Sequence, residues 1–170
     1  LVEKFKNVEA HLINLDELYK TFEISLSKFN NEHGLANSRA RLRMTTLYQV
    51  ASANKGIVVG TGNKIEDFGV GFYTKYGDGG VDISPIADCN KTEVWEMGRE
   101  LNILKEIIDA TPTDGLWDDG RTDEGQLGLK YGELEEAMNN PNSPNREKYE
   151  EIRKLNLHKM EPIPVCKIPN

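Results

Sequence analysis

A long apolar segment is the first feature that this sequence lacks. Spanning a bilayer takes about 20 consecutive apolar residues, and no such run occurs in the 170 residues, so the sequence does not indicate a membrane protein. The chain starts with Leu1 rather than Met, and the first residues contain no apolar signal-peptide region. We therefore expect a cytoplasmic protein, and a sequence that represents part of a longer chain.

Cysteine and basic charge are also scarce. The two cysteines, Cys89 and Cys166, lie far apart and fit no metal-binding or redox spacing, so we expect plain thiols in a reducing cytoplasm. Acidic residues outnumber basic ones and give a net charge of −7, which repels nucleic acids and anionic membranes. We therefore expect neither as a partner, and any phosphate ligand must be held by local basic side chains.

The composition that remains suits a single globular domain over residues 1–170, since 38% of the residues are hydrophobic and 29% are charged. Alternating or β-branched apolar residues predict strands, and apolar residues three to four positions apart predict helices. The elements predicted in this way are strands over 8–15 and 56–60 and helices over 16–28 and 35–55.

Capping residues predict two more helices. Asn90, with Glu93 three positions later, is typical of a helix start, and so is Ser143 followed by Pro144. The second of these helices is expected to end near residue 157. The resulting order of strands and helices predicts an α/β domain with a parallel sheet.

A glycine-rich turn directly follows the predicted strand 56–60. Ligands bind at the carboxyl ends of strands in open parallel sheets, and glycines there let a ligand approach the backbone. Thr61 in this turn offers a hydroxyl, although an ordinary strand-to-helix turn explains the same residues. Glu66 and Asp67 come next. A carboxylate beside a phosphate site is a typical Mg²⁺ ligand, but acidic residues are equally favoured at a helix start.

Residues 72–82 combine Lys75, Asp78 and Asp82 with three glycines, more special residues than a structural turn needs, so we favour a functional role. The stretch 78–84 superficially matches the Ser-Gly-Gly-x-Asp-Ser pyrophosphate loop of ATP pyrophosphatases. That loop requires a buried strand before it and a helix after it. We reject the match because Pro85 follows and no buried strand precedes.

Basic residues occur in three further places. Arg39, Arg41 and Arg43 alternate along one predicted helix and cannot all share a face, so one can point at a ligand while the others pack or reach solvent. Lys91 opposes the dipole at a helix start, which suggests a nearby anion. His158 and Lys159 could form a ligand-binding pair, but a solvated helix end is the simpler interpretation. The polar stretch 114–128 is expected to be mobile without ligand.

Three segments together resemble ammonia-dependent NAD synthetase, in its C-terminal portion: 60–67, 71–82 and 111–117. Order and spacing agree from about residue 35 to 159. The resemblance implies a doubly wound parallel sheet of the adenine-nucleotide alpha-hydrolase type, lacking its first strand and helix. It also implies a homodimer that uses ATP to adenylate the nicotinate of deamido-NAD before ammonia displaces AMP.

Residue roles follow from the same resemblance. It implies that Glu66 ligates Mg²⁺ and that Asp78 lies beside the ammonia as the catalytic carboxylate. The residues implied to contact ATP are Thr61, Lys91 and Thr113. Those implied to contact deamido-NAD are Arg41, Lys75, Asp82, His158 and Lys159. The polar stretch 109–128 would act as a lid.

The sequence departs from the family pattern in two places. Gly62 and Asn63 stand where family members often carry Asp-His, and we interpret this as a variant turn. The family's pyrophosphate loop does not occur in these 170 residues, so we expect this polypeptide alone to make no NAD. The alternative to a ligase is a non-catalytic dimerising or dinucleotide-binding module. A purified protein well above 19.2 kDa would favour the ligase.

Overall fold

The computed structural model of the protein describes residues 2–168, and helices dominate this part of the chain. Short 3₁₀ turns occur at Val2–Lys4 and Ser27–Phe29, and a π-helix spans Ile65–Val70. The α-helices are α1 (Asp16–Ser25), α2 (Glu32–Ala53), α3 (Lys91–Glu100), α4 (Lys105–Ile108), α5 (Asp123–Leu127), α6 (Tyr131–Asn139) and α7 (Arg146–Met160).

The hydrophobic core lies between the π-helix, α6 and α7. Ile65, Val70, Leu134 and Ala137 are fully buried there, and Tyr149 of α7 is 2% exposed. These apolar side chains come from segments far apart in sequence, and removing them from water drives the packing of the three elements. One face of the π-helix therefore packs against the core, and its opposite face can form the wall of a cavity.

The predicted helices are confirmed, with shifted ends. Helix α2 begins at Glu32 rather than 35, because the Asn31 side chain accepts a hydrogen bond from the Gly34 N–H at 2.8 Å. Helix α3 begins after Asn90 as predicted, and the Glu93 carboxylate accepts the Asn90 N–H at 2.6 Å. Helix α7 begins two residues later than Pro144 and ends at Met160 rather than near 157.

The predicted strands over 8–15 and 56–60 are wrong for the part of the chain that the structure describes. Residues 8–15 are irregular and largely exposed, so their alternation does not mark a buried face. At 56–60, one isolated parallel bridge joins Val59 to Ile83. Val58 is buried, but Ile57 and Val59 are 59% and 53% exposed, so only one of the three β-branched side chains is buried.

A side chain replaces part of the missing sheet pairing. The Asp82 carboxylate accepts the Val58 N–H at 2.7 Å, and the Asp82 N–H donates to the Val58 carbonyl at 3.0 Å. The Gly60 N–H adds a bond of 2.7 Å to the Ile83 carbonyl. These contacts hold the turn after 56–60 without a ladder, and a doubly wound sheet does not form within residues 2–168.

The structure shows the state of both cysteines and the length and polarity of the helices. Cys89 and Cys166 are both free; Cys89 is partly buried and Cys166 is exposed. None of the helices within 2–168 combines the length and the apolar character that crossing a membrane requires.

Candidate functional site

A cavity of about 260 Å³ lies between the π-helix, the start of α3 and the loop that precedes α5, residues 109–122. It gathers five of the residues to which the family resemblance assigns a role, and these come from four separate segments of the chain. Those residues are Thr61, Glu66, Asp78, Lys91 and Thr113. We call this space the central cavity.

The π-helix sets the position of Glu66. The buried Asn63 side chain accepts the N–H groups of Ile65 and Glu66 at 3.0 and 3.1 Å, which starts the turn. At its end, Gly71 has a φ of +65°, a conformation that glycine adopts without a Cβ penalty. A Cβ at Gly71 would lie 2.7 Å from the Asn156 Cβ, so close packing against α7 also requires glycine there.

The Glu66 carboxylate is surrounded by polar partners. Its Oε1 accepts a hydrogen bond from the Tyr131 hydroxyl at 2.6 Å and lies 3.4 Å from Lys91 Nζ. The Glu66 and Lys91 side chains are only 15% and 20% exposed. The lysine at the start of α3 therefore has an anion beside it, namely Glu66 of the protein itself.

Gly62, one of the two residues that depart from the family's Asp-His pair, lies against the side chain of Asp67. A Cβ added at Gly62 would lie 2.3–2.5 Å from the carboxyl atoms of Asp67, so a side chain at position 62 would require the Asp67 carboxylate to move. Asp67 lines the central cavity, and its burial together with Glu66 and Asp78 raises its pKa to about 6. A carboxylate is thus still present beside the turn, supplied from residue 67.

Asp78 lies where the central cavity meets two neighbouring cavities. Its Oδ1 accepts the Thr74 N–H at 2.9 Å, which closes the turn over 74–78. Burial raises the pKa of Asp78, while the Thr74 N–H and the nearby Lys159 ammonium oppose that shift. Asp78 is exposed and lines the cavity, and a carboxylate in such a place can bind a cation or accept a proton.

Lys159 lines the second cavity, which also has a volume of about 260 Å³ and shares Asp78 and Asp114 with the first. Its Nζ donates to the carbonyls of Gly71 and Tyr73 at 2.9 and 2.8 Å. Burial lowers the pKa of Lys159. The interpretation of this residue as part of a solvated helix end is therefore wrong, although its neighbour His158 is exposed.

Lys75 forms a chain of contacts with Arg41 and His158. Its Nζ donates to the His158 carbonyl at 2.6 Å, and its own carbonyl accepts from Arg41 Nε and Nη2 at 3.3 and 3.2 Å. Lys75 forms no ion pair with Asp78 or Asp82 within residues 2–168. The structure thus brings Arg41, Lys75 and His158 together and places Lys159 next to His158 in α7.

Asp82 stands apart from the other residues expected to contact deamido-NAD. One carboxylate oxygen accepts the Val58 N–H, and the other accepts the Tyr48 hydroxyl at 3.2 Å. The side chain is therefore engaged in holding the turn after 56–60, as well as being exposed at the surface.

Two arginines of α2 hold the loop that precedes α5. Arg39 Nη1 donates to the Leu116 carbonyl at 2.8 Å, and Arg43 Nη2 donates to the Gly115 carbonyl at 2.9 Å. They share a helix face because they are four residues apart, whereas Arg41 points elsewhere. The sequence analysis expected such a division among the three arginines but not the loop as their partner.

The loop is expected to loosen when one of these contacts is removed. Arg43→Lys keeps the positive charge but loses the guanidinium N–H group that donates to the Gly115 carbonyl. We expect hydrogen–deuterium exchange of amides 114–122 to speed up by about tenfold, since a charge-assisted bond contributes about 1.5–3 kcal/mol. Arg99→Lys, on the last turn of α3, is the control and should leave the loop unchanged. Equal protection in both variants would show that Arg43 does not hold the loop.

Sequence reasoning missed Asp114 and Asp123, which line the central cavity, and Tyr131, which contacts Glu66 behind it. Tyr131, Asp123 and Asp114 come from α6, α5 and the loop, and no local motif links them to Glu66. Asp114 accepts hydrogen bonds from Trp117 Nε1 at 3.1 Å and Gln126 Nε2 at 3.0 Å. The one signal available was the resemblance over 111–117, which placed this loop near the site without identifying its contacts.

Comparison with known proteins gives a consistent result. A family model described as NAD synthase matches residues 1–168. The NH(3)-dependent NAD(+) synthetase of Carboxydothermus hydrogenoformans is 42% identical over 81% of this chain and 58% of its own. That of Syntrophomonas wolfei is 38% identical over 99% of this chain and 70% of its own.

Solved structures show the same likeness. A structure of NMN synthetase from Francisella tularensis matches with a TM-score of 0.86 and 33% identity, covering 99% of this chain and 69% of that one. An NH3-dependent NAD synthetase from Campylobacter jejuni shares the fold, with a TM-score of 0.71, 22% identity and coverage of 95% and 67%.

The fold is one that this chain shares with synthetases of nicotinamide nucleotides. More particularly, the chain belongs to the NAD synthase family, because the family model covers residues 1–168. The resemblance identified from the sequence is thereby confirmed. The chain spans only about half the length of some curated relatives, 53% for the one from Alkaliphilus oremlandii.

Proposed function

We propose that the whole protein is a ligase that amidates deamido-NAD to NAD with ATP and ammonia. The observation that carries this proposal is the central cavity. Residues that the family resemblance assigns to ATP, metal and ammonia converge there from separate segments, alongside Asp67, Asp114 and Asp123. Residues 1–170 would act as a single domain within this protein.

The ATP side of the reaction needs positive charge and hydroxyl donors. We assign Thr61 and Thr113 to hydrogen bonds with ATP, and Lys91 to its phosphate oxygens, where charge builds as pyrophosphate leaves. Lys91 is already oriented toward the cavity by Glu66. When bound, Mg²⁺ would neutralise charge on the phosphates.

Glu66 is suited to be the residue that holds this Mg²⁺. Within residues 2–168 no group of three or more acidic, His or Cys side chains could hold a metal. Mg²⁺, however, binds through one or two carboxylates plus substrate phosphates, so a single oriented carboxylate in a phosphate-binding cavity fits its requirements.

The nicotinate side of the reaction needs a bound dinucleotide and free ammonia. We assign Arg41, Lys75, Asp82, His158 and Lys159 to deamido-NAD. Ammonium is not a nucleophile, so Asp78 would bind the cation and accept a proton from it. The resulting ammonia attacks the adenylated carboxyl group, the amide forms, and AMP leaves. The loop held by Arg39 and Arg43 would exclude water during these steps.

Lys75→Ala is expected to weaken recognition of deamido-NAD selectively. Loss of one charge-assisted contact should raise the KM for deamido-NAD about tenfold, or lower kcat/KM as much, because such bonds contribute about 1.5–3 kcal/mol. The KM for ATP should change much less. Steady-state kinetics of the whole gene product, with each substrate varied in turn, measure both constants.

The control for Lys75→Ala is Lys105→Ala. Lys105 is 87% exposed and its ion pair with Asp109 is long, at 3.9 Å, so its loss should leave both constants unchanged. An unaltered deamido-NAD response in Lys75→Ala would remove Lys75 from the site. It would also weaken the assignment of Arg41 and His158, which contact it.

A homodimer is part of the proposal. Large apolar side chains of the N-terminal third are exposed: Leu18 by 53%, Ile24 by 75% and Phe29 by 78%. A surface of this kind is typical of a subunit interface. We also propose a cytoplasmic location, in keeping with the two free thiols.

A second candidate product is NMN, favoured by the structural likeness to the Francisella tularensis NMN synthetase. The chemistry at the carboxyl group would be the same, and only the size of the nucleotide would differ. Kinetics with deamido-NAD and with nicotinate mononucleotide decide between them. A higher kcat/KM for the mononucleotide would replace the proposed substrate.

Turnover itself separates the ligase from a non-catalytic binding module. The whole gene product is incubated with ATP, Mg²⁺, deamido-NAD and ammonium, and NAD is measured by an NAD-specific enzymatic assay. The proposal predicts NAD formation that depends on both ATP and ammonium. Binding of deamido-NAD without turnover would instead support the dimerising or dinucleotide-binding module.

A further inference from the structure

The hydroxyl of Tyr131 connects two carboxylates of the central cavity. Tyr131 is the first residue of α6 and is 1% exposed. Its oxygen lies 2.6 Å from Glu66 Oε1 and 3.1 Å from Asp123 Oδ2. A phenol has one hydrogen to donate, so the two carboxylates compete for a single donor, and the shorter distance favours Glu66.

The ring of Tyr131 is fixed independently of any ligand. It packs edge-on against Trp95 with ring centroids 6.1 Å apart, and it belongs to the core between the π-helix, α6 and α7. The Tyr131 N–H also donates to the Glu124 carboxylate at 3.0 Å. The hydroxyl is therefore held in place by the fold, and it can impose an orientation on the more exposed Glu66 side chain.

The second carboxylate belongs to the segment that follows the loop. Asp123 is the first residue of α5 and is 6% exposed. Its Oδ1 is buried and accepts no hydrogen bond from any residue between 2 and 168. Asp123 therefore shares the one hydrogen of the Tyr131 hydroxyl with Glu66, so a change in the Glu66 contact also changes the contact that Asp123 makes.

We propose that Tyr131 is a positioning residue that orients the Glu66 carboxylate for cation binding and links cation binding to the position of α5. This inference rests on the proposed role of Glu66 as a metal ligand. Ligating carboxylates are oriented by a surrounding layer of hydrogen bonds, and loss of such a partner typically weakens metal binding by about 10- to 100-fold. Tyr131 does not contact the reacting groups itself.

The test compares Tyr131→Phe with Tyr149→Phe. Both variants keep a buried ring of the same core and lose one hydroxyl, but the Tyr149 hydroxyl donates to the Gly69 carbonyl at 3.3 Å and not to a carboxylate. Mn²⁺ is the probe, and its binding to the whole gene product is titrated by electron paramagnetic resonance with a non-hydrolysable ATP analogue. We expect about 10- to 100-fold weaker Mn²⁺ binding in Tyr131→Phe and an unchanged affinity in Tyr149→Phe.

Each outcome has a distinct meaning. Unchanged Mn²⁺ affinity in Tyr131→Phe, or equal weakening in both variants, overturns the role of Tyr131 and leaves the metal role of Glu66 standing. Absence of Mn²⁺ binding by the unsubstituted protein overturns both. If Tyr131→Phe does not fold, hydrogen–deuterium exchange of the unsubstituted protein decides. Mn²⁺ should then alter the exchange of amides 123–131, and an unchanged pattern would contradict the link to α5.

Discussion

Glu66→Gln is expected to weaken metal-dependent ATP binding by about 30- to 100-fold. The substitution keeps the size of the side chain and its hydrogen bond from Tyr131, but it removes the charge that a cation requires. Loss of one charged contact in a largely buried position corresponds to about 2–3 kcal/mol, and each 1.4 kcal/mol is a factor of ten. Isothermal titration with ATP and Mg²⁺ measures this directly.

The control for Glu66→Gln is Glu150→Gln. Glu150 of α7 is 47% exposed and pairs with Arg146 on the same helix, so its loss should leave ATP binding unchanged. Titration with ATP in the absence of Mg²⁺ adds a second check, since Glu66→Gln should not weaken metal-free binding. Equal affinity of Glu66→Gln and the unsubstituted protein for Mg²⁺–ATP would remove Glu66 as the metal ligand.

Asp78→Asn is expected to lower kcat for amide formation by about 100-fold. An amide can still accept the Thr74 N–H but cannot take a proton from ammonium, and general-base catalysis typically contributes about 10²- to 10⁴-fold. Adenylation of the nicotinate should be affected much less. Rapid quench measurements that follow pyrophosphate release and NAD formation separately distinguish the two steps.

The same variant should not lose stability. Burial raises the pKa of Asp78 in the folded protein, so its ionised form opposes folding at neutral pH, and the neutral amide removes that cost. We therefore expect an equal or higher Tm in Asp78→Asn. Asp88→Asn, at a side chain 98% exposed, is the control for both readouts and should change neither. A fall in Tm together with activity would indicate a structural role for Asp78 instead.

The helices could be predicted from the sequence because their signals are local. Capping by Asn90 and Glu93, for example, depends on residues three positions apart. The two strands could not be predicted in this way. A β-branched run such as 57–59 forms a ladder only with a partner, and within residues 2–168 a carboxylate from Asp82 takes the place of that partner.

In the candidate site, too, some residues could be predicted from local sequence and others could not. Glu66, Asp78 and Thr113 could be singled out because each lies in a segment that resembles the family, and Lys91 could be singled out because it opposes the dipole at a helix start. The fold brings all four to one cavity. Tyr131 could not, because its hydroxyl reaches Glu66 from a helix that begins 65 positions later in the chain. Contacts of this kind depend on how α6 packs against the π-helix, which no motif encodes.

The most direct test of the proposed reaction follows one oxygen atom. The nicotinate carboxylate attacks the α-phosphorus, so one carboxylate oxygen bridges the nicotinate and AMP in the adenylate. When ammonia displaces AMP, that oxygen leaves with AMP. Deamido-NAD labelled with ¹⁸O in the carboxylate is incubated with ATP, Mg²⁺ and ammonium, and the products are analysed by mass spectrometry. We predict one ¹⁸O atom in each AMP, with pyrophosphate unlabelled. Label in inorganic phosphate, with ADP as the other product, would contradict an adenylated intermediate.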